Sequence, residues 1–150
     1  MKRFGAFLAW IYFLLLLFCL CSCSRIRVTP SEAMGELLAS HSLPSGVVYT
    51  SESGGEEMLV QILGTDELQG VESFALYLSA RDRVCEAAVF SCYSKGEARA
   101  LAELCTKRGE FLARRDKGVA SKVLVKGKYL LWAVSEDSDA LVRSLGDAIN

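Results

Sequence analysis

The sequence predicts an α+β fold, in which one antiparallel four-stranded sheet has helices packed on one face and is preceded by one or two short helices. Two observations predict it. From residue 71 the chain runs strand, strand, helix and then repeats this order. Short turns join the strands of each pair, and strands joined in this way pair antiparallel. Two such hairpins with a helix after each form a two-layer α+β sandwich.

Length and composition agree with a single folded domain and one targeting segment. The chain has 150 residues, of which 51% are hydrophobic, and a formal net charge of −1. A disordered tail would have fewer apolar residues and a larger net charge. Nucleic-acid-binding domains typically have a strongly basic surface, so we expect no nucleic-acid partner.

The N-terminal segment has the pattern of an export signal. Lys2 and Arg3 form a basic start, and residues 4–24 carry no charge. A basic start, an apolar run and small residues at its exit are typical of a secretory signal peptide. The apolar run is also long enough to span a bilayer, so an uncleaved transmembrane anchor is an alternative. In either case we expect the remaining chain outside the cytoplasmic membrane.

The exit of the apolar run favours lipidation of Cys23. The sequence Leu20-Cys21-Ser22-Cys23 resembles the bacterial lipobox, in which a leucine, a tolerated residue and a small residue precede the acylated cysteine. Cys19 and Cys21 do not fit, because a large apolar residue precedes each of them. A lipid anchor on Cys23 would hold the chain on the outer face of the cytoplasmic membrane. Free secretion after ordinary cleavage near Ser24 is the third alternative.

These features divide the chain into three parts. We expect a lipoprotein signal peptide over residues 1–22, a tether over 23–28 and a single α+β domain over 29–150. Loss of Lys2 and Arg3 with the signal peptide leaves a mildly acidic domain. That domain is long enough to build its core without disulfides.

The first helix of the domain is predicted from its capping residues. Thr29 is suited to the N-cap, Pro30 to the first helical position, and Glu32 to closing a capping box. The apolar stripe ends near Ser40, and we expect the helix to end there.

Residues 41–63 predict a loop, a brief extended piece and a short helix. His41 lies in the loop and is most simply a solvated residue. Residues 47–49 form the extended piece, and Glu56 to Leu63 form the helix. Gly64 is suited to terminating that helix, because glycine readily adopts the left-handed conformation.

The remaining elements form the repeated part of the fold. The run 130–134 has no polar alternation, which indicates a central strand, and Lys126-Gly127 is predicted as the turn of the second hairpin. We expect strands over 71–80, 84–93, 119–125 and 128–134, with helices over 94–114 and from about 139 to 150.

Three cysteines remain in the exported part, Cys85, Cys92 and Cys105. They have no C-x-x-C spacing, and a metal site would need closer pairs and more partners. Cys85 and Cys92 lie seven positions apart on one predicted strand, so they point to opposite faces and cannot pair. A Cys92–Cys105 disulfide stays open, although small buried thiols are favoured.

The long helix places an arginine inside its apolar stripe. Glu86 on the preceding strand also lies on an otherwise apolar face. A buried charge without a partner is very costly, so we predict that Glu86 and Arg108 pair or extend to opposite edges. A structural ion pair is favoured; a ligand-carboxylate site on Arg108 and acid–base catalysis by Glu86 are the alternatives. The stripe consists of Leu101, Leu104, Cys105, Arg108, Phe111 and Leu112.

Motifs of the common catalytic classes are missing from the sequence. It contains no GxSxG, P-loop, HExxH, GxGxxG or EF-hand pattern. A single histidine excludes a multi-histidine metal site and leaves almost no room for a Ser-His-Asp triad. We therefore predict no enzyme activity, no metal and no cofactor.

Five segments of the predicted domain share their order and spacing with a known family. They are Leu76–Ser79, Glu86–Phe90, the helix with Arg108 and Phe111, Gly127–Tyr129 and Val134–Asp137. With these segments the chain resembles the domain of unknown function family numbered 4358, although the connection after the long helix is shorter than in the family. The resemblance covers most of the predicted domain and implies a small lipoprotein of a clostridia-like Gram-positive bacterium. It adds no catalytic residue and loosely suggests an envelope polysaccharide O-acetylation system.

The sequence therefore predicts a membrane-tethered extracytoplasmic lipoprotein with a non-catalytic accessory or binding domain of the cell envelope. Its partners would be the membrane, through the lipid anchor, and an envelope protein or glycan. An envelope enzyme or accessory subunit in cell-surface polysaccharide modification is the alternative, and a purely structural lipoprotein is the third interpretation. A concave pocket around Glu86 and Arg108 would favour ligand binding.

Overall fold

The computed structural model describes residues 27–80 and 84–150. The predicted signal peptide, the lipidation site Cys23 and the turn at 81–83 lie outside the described residues. Within the described ranges, no helix combines the length and apolar character needed to cross a membrane. The elements are α1 (Pro30–Ser40), β1 (Gly46–Thr50), α2 (Glu56–Leu63), β2 (Val71–Ser79), β3 (Glu86–Cys92), α3 (Lys95–Arg115), β4 (Ala120–Lys126), β5 (Tyr129–Ser135) and α4 (Ser138–Ala148).

The described strands form one antiparallel sheet of five strands rather than four, in the order β1-β2-β3-β5-β4. The two predicted hairpins, β2-β3 and β4-β5, are present and are joined through β3 and β5. The extra strand is the extended piece at 47–49, which pairs with β2 along its whole length. Its five residues are too few, and too exposed, to show a strand periodicity in the sequence.

The helices cover both faces of the sheet, so the prediction that they pack on one face was wrong. Helices α2 and α3 bury one face, and α1 and α4 bury the other. The cause lies in the central strands, because every residue of β3 and all but the first residue of β5 are buried. A strand that is apolar on both sides needs a packed layer on each side. The fold is α+β with three layers.

Local capping chemistry sets the helix ends where the sequence predicts them. The Thr29 hydroxyl accepts a hydrogen bond from the Glu32 amide at 3.2 Å, and the Glu32 carboxylate accepts one from the Thr29 amide at 2.7 Å. This reciprocal pair is a capping box. It lowers the pKa of Glu32, because both groups of Thr29 favour the carboxylate. Gly64 ends α2 in the left-handed conformation.

The second hairpin turns one residue later than predicted. Its two central residues are Gly127 and Lys128, and the β4-β5 register closes on the Lys126–Tyr129 pair. Gly127 has a φ of 60°, whereas the described residues include no non-glycine with positive φ. Glycine at the first central position with an ordinary second residue is typical of a type II′ turn. The glycine was identified correctly, but its position in the turn was not.

All neighbouring strands are antiparallel, so each runs between the same two ends of the sheet. One end, which we call the entry end, contains the paired residues Val71 and Cys92 together with Tyr129. Val28 is fixed there, because it packs against the core and its carbonyl accepts a hydrogen bond from Tyr129 Oη at 3.3 Å. The opposite, distal end contains Glu86. Six residue steps along β3 separate the two ends, which is about 20 Å.

Candidate functional site

The structure brings Glu86 and Arg108 together at the distal end. Arg108 Nη2 lies 2.6 Å from Glu86 Oε1, and Arg108 Nε donates to Glu86 Oε2 at 3.3 Å. Glu86 is held at the first position of β3, where its side chain is 10% exposed, and the Arg108 side chain is 23% exposed. The ion pair is bidentate, a geometry that adds strength and specificity to an arginine–carboxylate contact.

Both oxygens of Glu86 are engaged by Arg108, which favours the structural interpretation of this pair. A ligand carboxylate would have to compete with an internal carboxylate already seated on the guanidinium. General acid–base work by Glu86 would require the same contact to break. Removal of either partner would leave a charge in a largely apolar setting, as for other buried pairs.

Phe111 does not lie on the core stripe of α3, contrary to the sequence prediction. It is 49% exposed, and at 3.6 residues per turn it lies about 80° around the helix from Leu101. The Cζ atoms of Arg108 and Arg115 lie 6.0 and 5.5 Å from its ring centre, which is within cation–π range. The inward position belongs instead to the buried Gly109.

A cavity of about 450 Å³ opens at the distal end, on the face covered by α1 and α4. We call it the distal cavity. Glu86 and Arg108 do not line it, because Glu86 and its neighbour Cys85 point to opposite faces of the sheet. The lining residues are His41, Ser42, Leu43, Pro44, Val84, Cys85, Ser135, Glu136, Asp137 and Leu141.

Three chain segments that are distant in sequence build the distal cavity. They follow α1, precede β3, and connect β5 to α4. Two hydrogen bonds hold the segment that follows α1. The Tyr77 hydroxyl donates to the Pro44 carbonyl, and the Ala80 amide donates to the Ser45 carbonyl at 2.8 Å. His41, interpreted from the sequence as a solvated loop residue, is half-buried in this lining. Sequence reasoning missed the site, since only the antiparallel topology brings the segments together.

The distal cavity combines an apolar floor with an acidic rim. Leu141 is buried, and Val84 and Leu43 are half-buried, whereas Glu136 and Asp137 are exposed. Asp137 Oδ1 also accepts a hydrogen bond from the Ala140 amide at 3.3 Å, so this carboxylate caps α4 as well. Ligand sites are typically apolar with a few oriented polar groups. This one suits a small apolar group attached to a cation.

Cys85, Cys92 and Cys105 are free and buried, as the sequence favoured. Burial raises the pKa of all three thiols, that of Cys92 to about 11, and the nearby Glu86 carboxylate adds to the rise at Cys85 and Cys105. The reactive species of cysteine is the thiolate. These groups therefore remain thiols at neutral pH. Cys92 and Cys105 share one core cluster but are not joined by a disulfide.

A cleft of about 150 Å³ lies at the entry end, beside Arg27. Glu72 is part of its lining, where it accepts a hydrogen bond from Ser91 Oγ at 2.9 Å and forms an ion pair with Lys128. These contacts, the Lys128 hydrogen bond foremost, lower the pKa of Glu72. The acidic group of the cleft is therefore already bound within the domain.

Residues 27–80 and 84–150 contain no group of three or more His, Cys, Asp or Glu residues arranged to hold a metal ion. Comparison with family models, curated proteins and solved structures gives no match for this chain. The resemblance to family 4358 stays a prediction from the sequence.

Proposed function

We propose that this chain is a lipid-anchored extracytoplasmic protein whose domain is a non-catalytic binding domain of the cell envelope. One observation carries the proposal: the chain enters the domain at one end of the sheet, and the distal cavity opens at the other. An anchor at the entry end holds the domain on the membrane, and the cavity then faces away from the lipid, toward other envelope components.

The chemistry of the distal cavity supports a cationic ligand group. Its rim carries the carboxylates of Glu136 and Asp137, and its floor is apolar. A lysine or arginine side chain of an envelope protein, or an amino group of a glycan, meets both requirements. Charge complementarity of this kind mainly sets the specificity and speed of encounter.

The state of Cys85 supports binding rather than covalent catalysis in this cavity. Cys85 lies in the lining and is the residue there most suited to nucleophilic attack. An activated cysteine has a lowered pKa, produced by a neighbouring cation or a helix N-terminus. The pKa of Cys85 is instead raised by burial and by the Glu86 carboxylate. Cys85 is thus a packing residue at the base of a binding site.

The anchor is tested by the mature N-terminus of the protein produced in a Gram-positive host. We expect mass spectrometry to find diacylglyceryl-cysteine at position 23. Cys23→Ala should abolish this processing, whereas the control Cys21→Ala should retain it and remain with the membrane. Recovery of an N-terminus at Ser24 or Arg25, or of intact Met1, contradicts lipid anchoring.

The binding site is tested by site-specific photo-cross-linking in intact cells. A benzoylphenylalanine at Ser42, on the exposed rim of the distal cavity, should give a discrete cross-linked product. Adding Glu136→Gln should reduce that product several-fold, since one of the two rim carboxylates is lost. The matched control is the same photoprobe at Glu103, an exposed position on α3. Identical products from both positions, or no effect of Glu136→Gln, would refute a binding role for the cavity.

A further inference from the structure

Tyr93 is a large aromatic residue displayed on a rigid part of the surface. Its side chain is 69% exposed, the highest value among the large apolar and aromatic residues of the described chain. The backbone is fixed on both sides, because the Tyr93 amide donates to the Gly70 carbonyl at 3.0 Å and Ser94 caps α3. Among residues 27–80 and 84–150, no hydrogen bond or ring contact engages the Tyr93 side chain.

Tyr93 lies at the entry end. It directly follows Cys92, which pairs with Val71, and the neighbouring pair Ser91–Tyr129 lies next to the point where Val28 is fixed. The ring therefore shares this end of the sheet with the start of the described chain.

The tether is too short to hold this end far from an anchor. Four residue steps separate Cys23 from Arg27, and a fully extended chain covers about 14 Å in that length. Val28 is already packed against the core, so it does not lengthen the tether. This step rests on the anchoring proposed above and holds for a lipid on Cys23 or an uncleaved apolar span. The entry end then lies at the headgroup layer.

Tyr93 and two cations of the entry end suit that position, and the half-buried Glu97 beside Gly70 is the carboxylate that opposes it. Tyrosine is enriched where an apolar medium meets water, because its ring is apolar and its hydroxyl is polar. Lys95, beside Tyr93, and Arg27 are both exposed cations. Lys128 is bound to Glu72, so that acidic group is neutralised within the domain.

We propose that the entry end is a lipid-contacting surface, with Tyr93 in the headgroup layer and Lys95 and Arg27 beside lipid phosphates. The membrane that holds the anchor is the single partner of this surface. The contact fixes the orientation of the domain, so the distal cavity stands about 20 Å farther from the bilayer along the sheet.

The experiment places a tryptophan at the surface in question and measures its quenching by lipid. The full protein carrying Tyr93→Trp is reconstituted in vesicles of phosphatidylglycerol and phosphatidylcholine brominated high on the acyl chains. We expect the brominated lipid to quench most of the emission that the introduced tryptophan contributes. The reference is the same protein in vesicles without bromine. The matched control is Phe111→Trp, another exposed aromatic position, which we expect to keep its emission. Trp132 is fully buried, and Trp10 is present only where the apolar segment is uncleaved, so the native tryptophans give the same background in both variants.

Co-flotation with the vesicles is measured first and separates the two proposals. Protein that does not float overturns both the anchoring and the lipid contact. Protein that floats but is not quenched at position 93, or is quenched equally at position 111, overturns only the lipid contact. Quenching at position 93 alone, weakened when Lys95→Gln is added, supports the surface as proposed.

Discussion

Replacing Arg108 by methionine is expected to lower the free energy of unfolding by about 2–3 kcal/mol. Methionine keeps much of the length of the arginine stem but leaves the Glu86 carboxylate, 10% exposed, without its partner. Breaking a fully buried pair from one side costs about 3–5 kcal/mol, and we expect less because the Arg108 side chain is 23% exposed. Urea denaturation followed by Trp132 fluorescence measures the change. Arg114→Met is the matched control, since its exposed pair with Glu110 should contribute under about 1 kcal/mol.

The double variant Glu86→Leu with Arg108→Met should recover much of this loss. Packed apolar groups often replace a buried ion pair without loss of stability. Glu86→Leu alone should cost less than Arg108→Met, because the long arginine can extend its charge to water. Additive single effects would contradict a direct interaction. If stability recovers while the cross-linked product at Ser42 is retained, the pair is structural. If stability recovers but the product is lost, Arg108 belongs to the binding function.

Features set by neighbouring residues could be predicted from the sequence. The capping box at Thr29 and the left-handed Gly64 fix helix ends through contacts spanning three or four residues. The opposite orientations of Cys85 and Cys92 follow from the two-residue period of a strand. Such predictions hold because their physical cause lies within the segment itself.

Features set by distant segments could not be predicted in the same way. Strand β1 exists because it pairs with β2, whose partner residues lie 25 to 33 positions farther along the chain. The second helical layer did have a signal, because strand β5 has no polar alternation. In the sequence analysis above, this pattern serves only to place β5 at the centre of the sheet. A strand that is apolar on both faces also needs helices on both sides.

The two candidate sites differ in the same way, because a local sequence pattern indicates one and the other depends on distant segments. The sequence predicted that Glu86 and Arg108 pair or extend to opposite edges, because each is a charge in an otherwise apolar pattern. The structure shows the pair. The distal cavity has no pattern of its own in the sequence. His41, Cys85 and Glu136 come from three connections, and each is an ordinary residue until the sheet brings the connections together.

Gly109 shows where helix α3 meets the sheet most closely. A Cβ atom at this position would lie 1.9 Å from Ser121 Oγ and 2.4 Å from Ser121 Cβ. Ser121 Cβ is bonded to the backbone of β4 and cannot swing aside, so the helix itself would have to move. Alanine in place of glycine normally stabilises a helix by about 0.5–1 kcal/mol. The close approach should reverse that sign.

Gly109→Ala is therefore expected to destabilise the domain by about 1–3 kcal/mol or more, as for other overpacked cores. Gly35→Ala is the control, because its Cβ would meet nothing within 4 Å and should stabilise α1. Ser121→Gly removes both clashing atoms and leaves Trp132 Nε1, at 3.5 Å, as the next neighbour. Combined with Gly109→Ala, it should recover part of the loss in urea denaturation, beyond the sum of the single changes. Stabilisation by Gly109→Ala, or strict additivity with Ser121→Gly, would show that α3 does not contact β4 at this point.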